Sequence, residues 1–218
     1  MSDLSNYRKS YDKSELLETT IPEDPINLFD KWFHEVEDFD SPETSGVEVN
    51  AMTISTIGLD GFPKSRVVLL KQFNFEGFIF YTNYNSEKGK AIANNPNVCL
   101  SFFWHTLERQ VIIKGIAEKT SSNISDGYFA SRPTGSKLGA IASNQSDVIS
   151  SRTVLEENLK ELEKDFVGLE IPRPDYWGGY IVKPVEVEFW QGRPNRLHDR
   201  IRYQLQSDFS WKIERLSS

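Results

Sequence analysis

The sequence predicts a mainly β protein with peripheral helices, of the α+β class, whose antiparallel strands form a barrel or a sandwich. Five short runs rich in β-branched and aromatic residues lie between Val47 and Lys119, and turn signals such as Asp60-Gly61 and Glu76-Gly77 separate them. Closely spaced strands joined by tight turns are typical of antiparallel barrels and sandwiches. Three more strands are predicted near the C-terminus, at about 178–190, 199–206 and 209–215.

Helices are predicted between these strand segments. Asp24 followed by Pro25 is a helix start, because aspartate caps an N-terminus and proline suits the first helical position. Apolar residues from Phe29 to Val36 then repeat at helical spacing, so we predict a helix at about 25–39. Further helices are predicted at 86–95, at about 122–131 and, as a clearly amphipathic segment, at 151–166.

The chain is predicted to form one domain. Its 218 residues suffice for one ample hydrophobic core, and we find neither an internal repeat nor a linker. Residues 1–22 are polar and carry no periodic pattern, so we expect a mobile N-terminal arm or lid. Residues 23–218 are then the domain itself.

Charge and composition exclude several classes of function. The net charge of -7 argues against a nucleic-acid partner, which requires a basic face. No apolar run approaches the roughly 20 residues of a membrane span, so no membrane partner is expected. Cys99 is the single cysteine and lies in an apolar run, so we expect a reduced chain in the cytoplasm.

Familiar catalytic motifs are absent from the sequence. Residues 58–65, GLDGFPKS, resemble a phosphate-binding loop, but Pro63 separates Gly61 from Lys64 and the spacing is wrong. There is no dinucleotide-binding glycine motif and no hydrolase nucleophile elbow. The three histidines are scattered along the chain, so no metal site is predicted.

Groups suited to phosphates and flat rings remain. Tyr128, Arg132 and Ser136 offer a hydroxyl, a guanidinium and a second hydroxyl, which are the donors that a phosphate dianion requires. Lys88 opens a short predicted helix, whose first N–H groups also favour an anion. Residues 188–203, EFWQGRPNRLHDRIRY, place four arginines beside a tryptophan and a His-Asp pair. Taken alone, these residues indicate a β-barrel that binds phosphorylated ligands.

A series of longer motifs resembles the pyridoxine (pyridoxamine) 5'-phosphate oxidase family. The motifs occur in that family's order from about residue 7 to 216, and the most specific is FWQG followed closely by RLHDR. They are RVVLLK, FYTN, ERQV, YFASRP, GAIASNQSDVI, WGGY, EFWQGRPNRLHDR and WKIERL.

The resemblance implies a homodimer of antiparallel FMN-binding split β-barrels, with FMN at the subunit interface and residues of both chains in each site. The residues that it assigns to FMN are Arg66, Val67, Val68, Leu69, Leu70, Lys71, Tyr81, Thr82, Lys88, Gln110, Gln145, Ser146, Trp190 and Arg200. Those that it assigns to the substrate are Arg8, Tyr11, Lys71, Tyr128, Arg132, Ser136, Arg196, Leu197 and His198. Arg196 and His198 are also the implied catalytic residues.

The implied reaction is the oxidation of pyridoxamine and pyridoxine 5'-phosphates to pyridoxal 5'-phosphate, in vitamin B6 salvage and biosynthesis. A hydride equivalent passes from C4' to flavin N5, and O2 is reduced to H2O2. Two alternatives stay open: another split-barrel flavin enzyme of the reductase type, and a non-catalytic carrier of FMN or pyridoxal phosphate. Glu87 departs from the family pattern, which commonly has a basic residue there, so the sequence predicts one contact fewer to the FMN phosphate.

Overall fold

The computed structural model describes residues 2–39 and 48–218. Within these residues the helices are α1 Pro25–Phe39, α2 Glu87–Asn94, α3 Ser122–Ser131, α4 Thr134–Ala142 and α5 Arg152–Asp165. The first strands are β1 Ala51–Ile57, β2 Pro63–Leu69, β3 Gln72–Asn74, β4 Gly77–Asn83 and β5 Asn97–Trp104. The later strands are β6 Arg109–Lys119, β7 Trp177–Gln191, β8 Asp199–Leu205 and β9 Trp211–Arg215, with a 3-10 turn at Pro194–Arg196.

The strands form a sheet with the order β2-β1-β5-β6-β7-β4-β3, while β8 pairs with β7 and β9 pairs with β8. The pairs β3-β4, β4-β7, β7-β8 and β8-β9 are all antiparallel. Burial alternates along β1 and β5, as the period-2 pattern of their sequences requires. The predicted fold class, mainly β and antiparallel with peripheral helices, is confirmed.

Two elements were missed by the sequence pattern. Strand β3 has only three residues, which is too short for a periodic signal. Helix α4 follows Pro133 and contains Gly135 and Gly139, residues that ordinarily indicate a loop. The first predicted strand began at Val47, which lies outside the described residues; the observed strand begins at Ala51.

The chain divides into two compact units. Among the described residues, the first unit comprises 2–39, 48–54, 99–115 and 184–218. Its core includes α1, where Phe29 packs edge-on against Phe102 at 5.1 Å between ring centroids and Trp32 packs against Phe189 at 5.2 Å. Aromatic contacts of this kind add to the stabilisation from burial alone.

The second unit comprises residues 55–98 and 116–183. Phe129, Leu138, Ile171 and Trp177 form a buried cluster that joins α3 and α4 to the start of β7. Helix α5 has no buried residue and contributes partly buried apolar side chains to the edge of this cluster. The second unit therefore holds its helices through a small apolar core.

Gly89 allows α2 to start close to the preceding loop. Ser86 caps the helix by accepting a hydrogen bond from the Gly89 N–H at 3.2 Å. A Cβ at Gly89 would lie 2.1 Å from the Tyr84 carbonyl oxygen, which is backbone and cannot rotate away. Lys88 precedes Gly89, so this close approach also fixes the position of the lysine.

We expect Gly89→Ala to lower the free energy of unfolding by about 1–3 kcal/mol, because overpacking against backbone forces a shift of the helix. Urea denaturation measures this change. Gly127→Ala in α3 is the matched control: its Cβ would meet no atom within 4 Å, so we expect a stability gain of up to about 1 kcal/mol. Equal effects of the two substitutions would contradict the predicted clash.

Candidate functional site

A cavity of about 630 Å³ lies in the second unit. It is bordered by the end of β2, by β4, by the start of α2 and by the segment from α3 to α4. The residues predicted for the site that line this cavity are Arg66, Val67, Val68, Leu69, Lys71, Tyr81, Thr82, Lys88, Tyr128, Arg132, Ser136 and Gln145. The structure therefore brings together residues that are up to 79 positions apart, from Arg66 to Gln145.

The charge of this cavity is one-sided. Its described lining residues include the cations Arg66, Lys71, Lys88 and Arg132 and include no aspartate or glutamate. Like charges gathered in one cavity repel one another, so the cavity favours an anionic ligand.

Lys88 is the most buried of these cations, with 8% of its surface exposed. Its Nζ donates to Thr82 Oγ1 at 3.0 Å and to Gln145 Oε1 at 2.8 Å. Burial, and secondarily the charge of Arg66, lower the pKa of Lys88 to about 8, while Glu87 acts in the opposite direction. Lys88 is thus a cation held by neutral oxygen atoms, which is the state that an incoming anion stabilises.

Arg66 and Lys71 line the same cavity. The alternation of a continuous strand would have placed them on opposite faces, but β2 ends at Leu69. Beyond that end, the Lys71 N–H donates to the Ile79 carbonyl at 2.8 Å. The Arg66 guanidinium donates to Thr56 Oγ1 at 2.7 Å, and burial lowers the pKa of Arg66. The end of the strand therefore redirects Lys71.

Arg132 has a guanidinium nitrogen, Nη1, that is buried without a hydrogen-bond partner in the described part of the chain. The guanidinium lies over the Trp177 ring at 4.6 Å, and burial lowers the pKa of Arg132. A buried donor without a partner is costly, so this nitrogen indicates a missing acceptor such as a phosphate oxygen.

Three aromatic rings form one wall of the cavity. Tyr81 stacks on Tyr128 at 3.8 Å between centroids, and Trp177 lies nearly parallel to both rings. Burial raises the pKa of Tyr81, so its hydroxyl stays neutral at ordinary pH. The wall therefore supplies flat apolar surface and the neutral hydroxyl group of Tyr81.

Two predicted cofactor residues of the second unit do not line the cavity. Leu70 is buried, with 4% of its surface exposed. Ser146 has a positive φ of 81°, and its Oγ accepts from the Glu87 N–H at 3.2 Å at the start of α2. The Glu87 carboxylate forms an ion pair with Lys64. Ser146 therefore sits at the helix start that carries Lys88, and Glu87 is held by another cation.

The first unit contains a second group of predicted residues. Trp190 on β7 lies 4.6 Å from His198, between ring centroids, and 5.8 Å from Tyr11 of the N-terminal segment. Tyr11 is 6.0 Å from His198. The three rings form a cluster, which we call the aromatic triad.

His198 is oriented by the backbone. Its Nδ1 accepts from the Arg193 N–H at 3.1 Å, so in the neutral ring the proton lies on Nε2. Burial and then the Arg196 charge lower the pKa of His198, against the opposing effect of Asp199. Arg196 has a positive φ of 63°, and Leu197 is 72% exposed. This segment therefore presents a neutral imidazole beside an arginine.

The remaining predicted residues of the first unit have separate partners. Gln110 Nε2 is 3.5 Å from Ser101 Oγ. Arg200 donates to Glu188 Oε1 at 2.7 Å, and Arg8 is exposed, with its Nε bonded to the Ser5 carbonyl. The structure thus groups the predicted residues into two sets, one in each unit.

Sequence reasoning missed several residues of these sets. Trp177 lines the cavity, and its presence in the WGGY motif was the available signal. Five more lining residues also fall within the quoted motifs FYTN, YFASRP and GAIASNQSDVI, which were the available signal: Asn83, Pro133, Gly139, Ala140 and Ser143. Residues 2–39 and 48–218 contain no group of three or more His, Cys, Asp or Glu side chains arranged to hold a metal ion. Over the same residues no helix has both the length and the apolar character of a membrane span.

Two family models match this chain. A family model described as pyridoxamine 5'-phosphate oxidase matches residues 45–164. A second, described as the pyridoxine 5'-phosphate oxidase C-terminal dimerisation region, matches residues 177–218. The two matches cover the cavity as well as Trp190, Arg196 and His198.

Curated relatives align over the full chain. A pyridoxine/pyridoxamine 5'-phosphate oxidase of Flavobacterium johnsoniae is 79% identical over 218 residues and is covered completely, as is this chain. One from Flavobacterium psychrophilum is 76% identical over 217 residues, again with 100% of both chains covered.

Solved structures support the same fold. PhzG from Burkholderia lata 383, in complex with tetrahydrophenazine-1-carboxylic acid, superposes with a TM-score of 0.85 at 28% identity, covering 96% of this chain and 100% of its own. A pyridoxamine 5'-phosphate oxidase-related, FMN binding protein from Nostoc punctiforme gives a TM-score of 0.69 at 13% identity, covering 91% of this chain and 100% of its own. With a matching family model over more than half its length and close relatives over all of it, the chain belongs to the pyridoxine/pyridoxamine 5'-phosphate oxidase family.

Proposed function

We propose that this protein is an FMN-dependent oxidase that converts pyridoxamine 5'-phosphate and pyridoxine 5'-phosphate to pyridoxal 5'-phosphate. The observation that carries the proposal is the cavity lined by four cations, an aromatic wall and, among the described residues, no carboxylate. A cofactor and a substrate that each bear a phosphate and a flat ring match these two properties. Close relatives carry the name of this enzyme.

The residues present fit FMN. Lys88, Thr82 and Gln145 are already joined by hydrogen bonds and offer a cation, a hydroxyl and an amide on one side of the cavity. Arg66 lies close enough to Lys88 for its charge to lower the lysine pKa, so the pair supplies two positive charges for one phosphate. FMN, when bound, supplies a two-electron acceptor that O2 can reoxidise with formation of H2O2.

Further residues would position the flavin. We assign the cofactor phosphate and ribityl chain to Arg66, Lys88, Gln145 and Ser146, with Tyr81 and Thr82 adding contacts. The backbone of 67–70 would line the flavin ring. Gln110, Trp190 and Arg200 would reach the isoalloxazine end, and in the proposed homodimer residues of both subunits complete each site.

The substrate phosphate is assigned to Lys71, Tyr128, Arg132 and Ser136. The buried, unpartnered Nη1 of Arg132 supports this assignment, because a phosphate oxygen would satisfy it. Binding energy from this remote phosphate would hold the pyridine ring in an attack geometry. Arg8, Tyr11 and Leu197 would cover the ring from the solvent side.

Arg196 and His198 are assigned to the reacting end of the substrate. The guanidinium of Arg196 would orient the C4' substituent and stabilise negative charge that develops there. His198 is held by the Arg193 N–H at Nδ1, which leaves Nε2 to exchange a hydrogen bond or a proton with that substituent. For the amine substrate, hydrolysis of the oxidised product gives the aldehyde and ammonia.

The wider assignments follow from this reaction. The product is the active form of vitamin B6, so the proposed roles are vitamin B6 salvage and biosynthesis. The match to a dimerisation region supports a homodimer. A cytoplasmic location agrees with the single, partly buried Cys99.

An anaerobic titration tests the proposal. We expect pyridoxamine 5'-phosphate to bleach the visible flavin band of the FMN-loaded protein, and admission of air to restore the band with release of pyridoxal 5'-phosphate. A carrier would bind without bleaching, and an enzyme of the reductase type would bleach with a reduced nicotinamide or deazaflavin but not with the amine. Either result would reject the oxidase assignment.

FMN affinity should fall as the pH rises above about 8. The anion binds the protonated form of Lys88, whose pKa is lowered to about 8, so deprotonation removes one charge from the site. Because binding requires one proton on Lys88, the affinity for FMN should fall by at most about tenfold per pH unit. Fluorescence titration of FMN between about pH 7 and about pH 9.5 measures the slope. Lys88→Gln should bind more weakly at pH 7 and show a flatter profile, and parallel profiles would exclude Lys88 as the titrating group.

A further inference from the structure

Glu108 lies in the turn between β5 and β6 with an unusual combination of properties. Its residue surface is only 1% exposed, although carboxylates are rarely buried without a specific partner. Its φ is 57°, in the left-handed region that a glutamate seldom adopts. A strained backbone and a buried charge at one residue persist only where the surrounding contacts require both.

The carboxylate of Glu108 is held by the N-terminal segment. Oε2 accepts from the Asp12 N–H at 2.9 Å and from the Lys13 N–H at 3.2 Å. Oε1 lies 3.5 Å from Lys9 Nζ. In the described part of the chain, every hydrogen-bond or ion-pair partner of this carboxylate belongs to residues 9–13.

The backbone of Glu108 is bonded to the end of β7. Its carbonyl accepts from the Gly192 N–H at 2.8 Å and from Gln191 Nε2 at 3.3 Å. Gly192 is packed directly beneath Tyr11, since a Cβ there would lie 2.7 Å from Tyr11 Cβ. One residue therefore connects the segment that contains Tyr11 to the strand end that contains Trp190.

We propose that Glu108 is a positioning residue that docks the N-terminal segment and so holds Tyr11 in the aromatic triad with Trp190 and His198. The two N–H bonds are charge-assisted, and such bonds are roughly twice as strong as neutral ones. The consequence for catalysis rests on the proposed function, because Tyr11 is there assigned to the substrate. Glu108 itself touches neither substrate nor cofactor in this assignment and acts through Tyr11.

Limited proteolysis tests the docking without any substrate. Trypsin can cleave the segment after Arg8, Lys9 and Lys13. We expect Glu108→Ala, in the FMN-loaded protein, to release these peptides at least about tenfold faster than the parent, measured by mass spectrometry. Glu108→Gln keeps one acceptor oxygen and the side-chain volume, so it should release these peptides at a rate between those of the parent and Glu108→Ala.

Glu35→Gln is the matched control. Glu35 accepts a hydrogen bond at 2.6 Å from Nη1 of Arg109, the residue that follows Glu108 in the sequence. Within the described residues, Glu35 has no hydrogen bond to residues 2–22. Glu35→Gln therefore disturbs Arg109 while leaving the contacts between Glu108 and the N-terminal segment in place. Equal release from Glu35→Gln and Glu108→Ala would show general loosening and overturn the proposal.

Steady-state kinetics test the consequence for the reaction. Glu108→Ala should raise KM for pyridoxamine 5'-phosphate by about tenfold and change kcat by less than about threefold, with FMN retained at the parent level. Faster proteolysis with an unchanged KM would overturn the assignment of Glu108 to substrate positioning. Absence of oxidation in the parent protein would reject the proposed function alone, because the proteolysis result does not depend on it.

Should Glu108→Ala fail to fold, Glu108→Gln carries the same two measurements. We then expect a rise in peptide release and in KM of about threefold each, from loss of the charge alone. Parent-like values for both quantities in a folded Glu108→Gln protein would overturn the proposal.

Discussion

Replacement of Arg132 by alanine is expected to raise KM for pyridoxamine 5'-phosphate by about 10- to 100-fold while FMN stays bound. Charge-assisted hydrogen bonds contribute roughly 1.5–3 kcal/mol, and each 1.4 kcal/mol corresponds to a factor of ten. The guanidinium lies over Trp177 with one buried nitrogen unpartnered, so a phosphate would gain a preorganised donor. Steady-state kinetics and the flavin absorbance of the purified protein measure the two effects.

Two variants make the Arg132 result specific. Arg132→Lys keeps the charge but lacks the planar pair of donors, so its KM should lie between those of the parent and the alanine variant. Arg152→Ala removes an exposed arginine that pairs with Glu156 on α5, and it should leave KM unchanged. An unchanged KM in Arg132→Ala would refute the assignment to the substrate phosphate.

Replacement of Arg196 by alanine is expected to lower kcat by roughly 100- to 1,000-fold, within the range for loss of a group that acts on the reacting atoms. FMN should stay bound, because the residue is assigned to the substrate side. The rate of turnover with oxygen measures kcat, and the flavin content of the purified protein measures bound FMN.

The backbone at Arg196 requires its own control. The positive φ of 63° means that alanine removes the side chain without relieving the strained conformation, whereas glycine relieves it. Arg196→Gly and Arg196→Ala should therefore lose similar turnover if the guanidinium is responsible. Lys212→Ala on β9 removes an exposed cation and should keep parent activity. Loss of flavin from the alanine variant would show that Arg196 belongs to the cofactor set.

Local pattern predicted most of the fold because the strands and helices are regular where they are buried. Burial alternates along β1, and the apolar spacing from Phe29 to Val36 marks α1. Pattern failed where length or composition hid the element: β3 is only three residues long, and α4 begins after a proline and contains two glycines. Leu138 of α4 packs into the buried cluster, and such a tertiary contact can override a weak local propensity.

The candidate site was less accessible to local reasoning. Gln145 bonds to Lys88 across 57 positions of sequence, and no spacing rule predicts such a contact. The shared cavity of Arg66 and Lys71 depends on where β2 ends, which alternation alone does not specify. Family resemblance supplied these residues, whereas it offered no indication of Glu108 as a partner of the N-terminal segment.

The cations that line the cavity also connect the lifetime of the protein to its supply of cofactor. Burial and the charge of Arg66 lower the pKa of Lys88, so Lys88 has lost part of its affinity for a proton on folding. An anion that binds only the folded chain stabilises it by about 2.7 kcal/mol at a free concentration 100 times its Kd. In a cell poor in flavin, a larger fraction of the chains would be open to proteases, so the amount of this protein would follow the supply of a second vitamin.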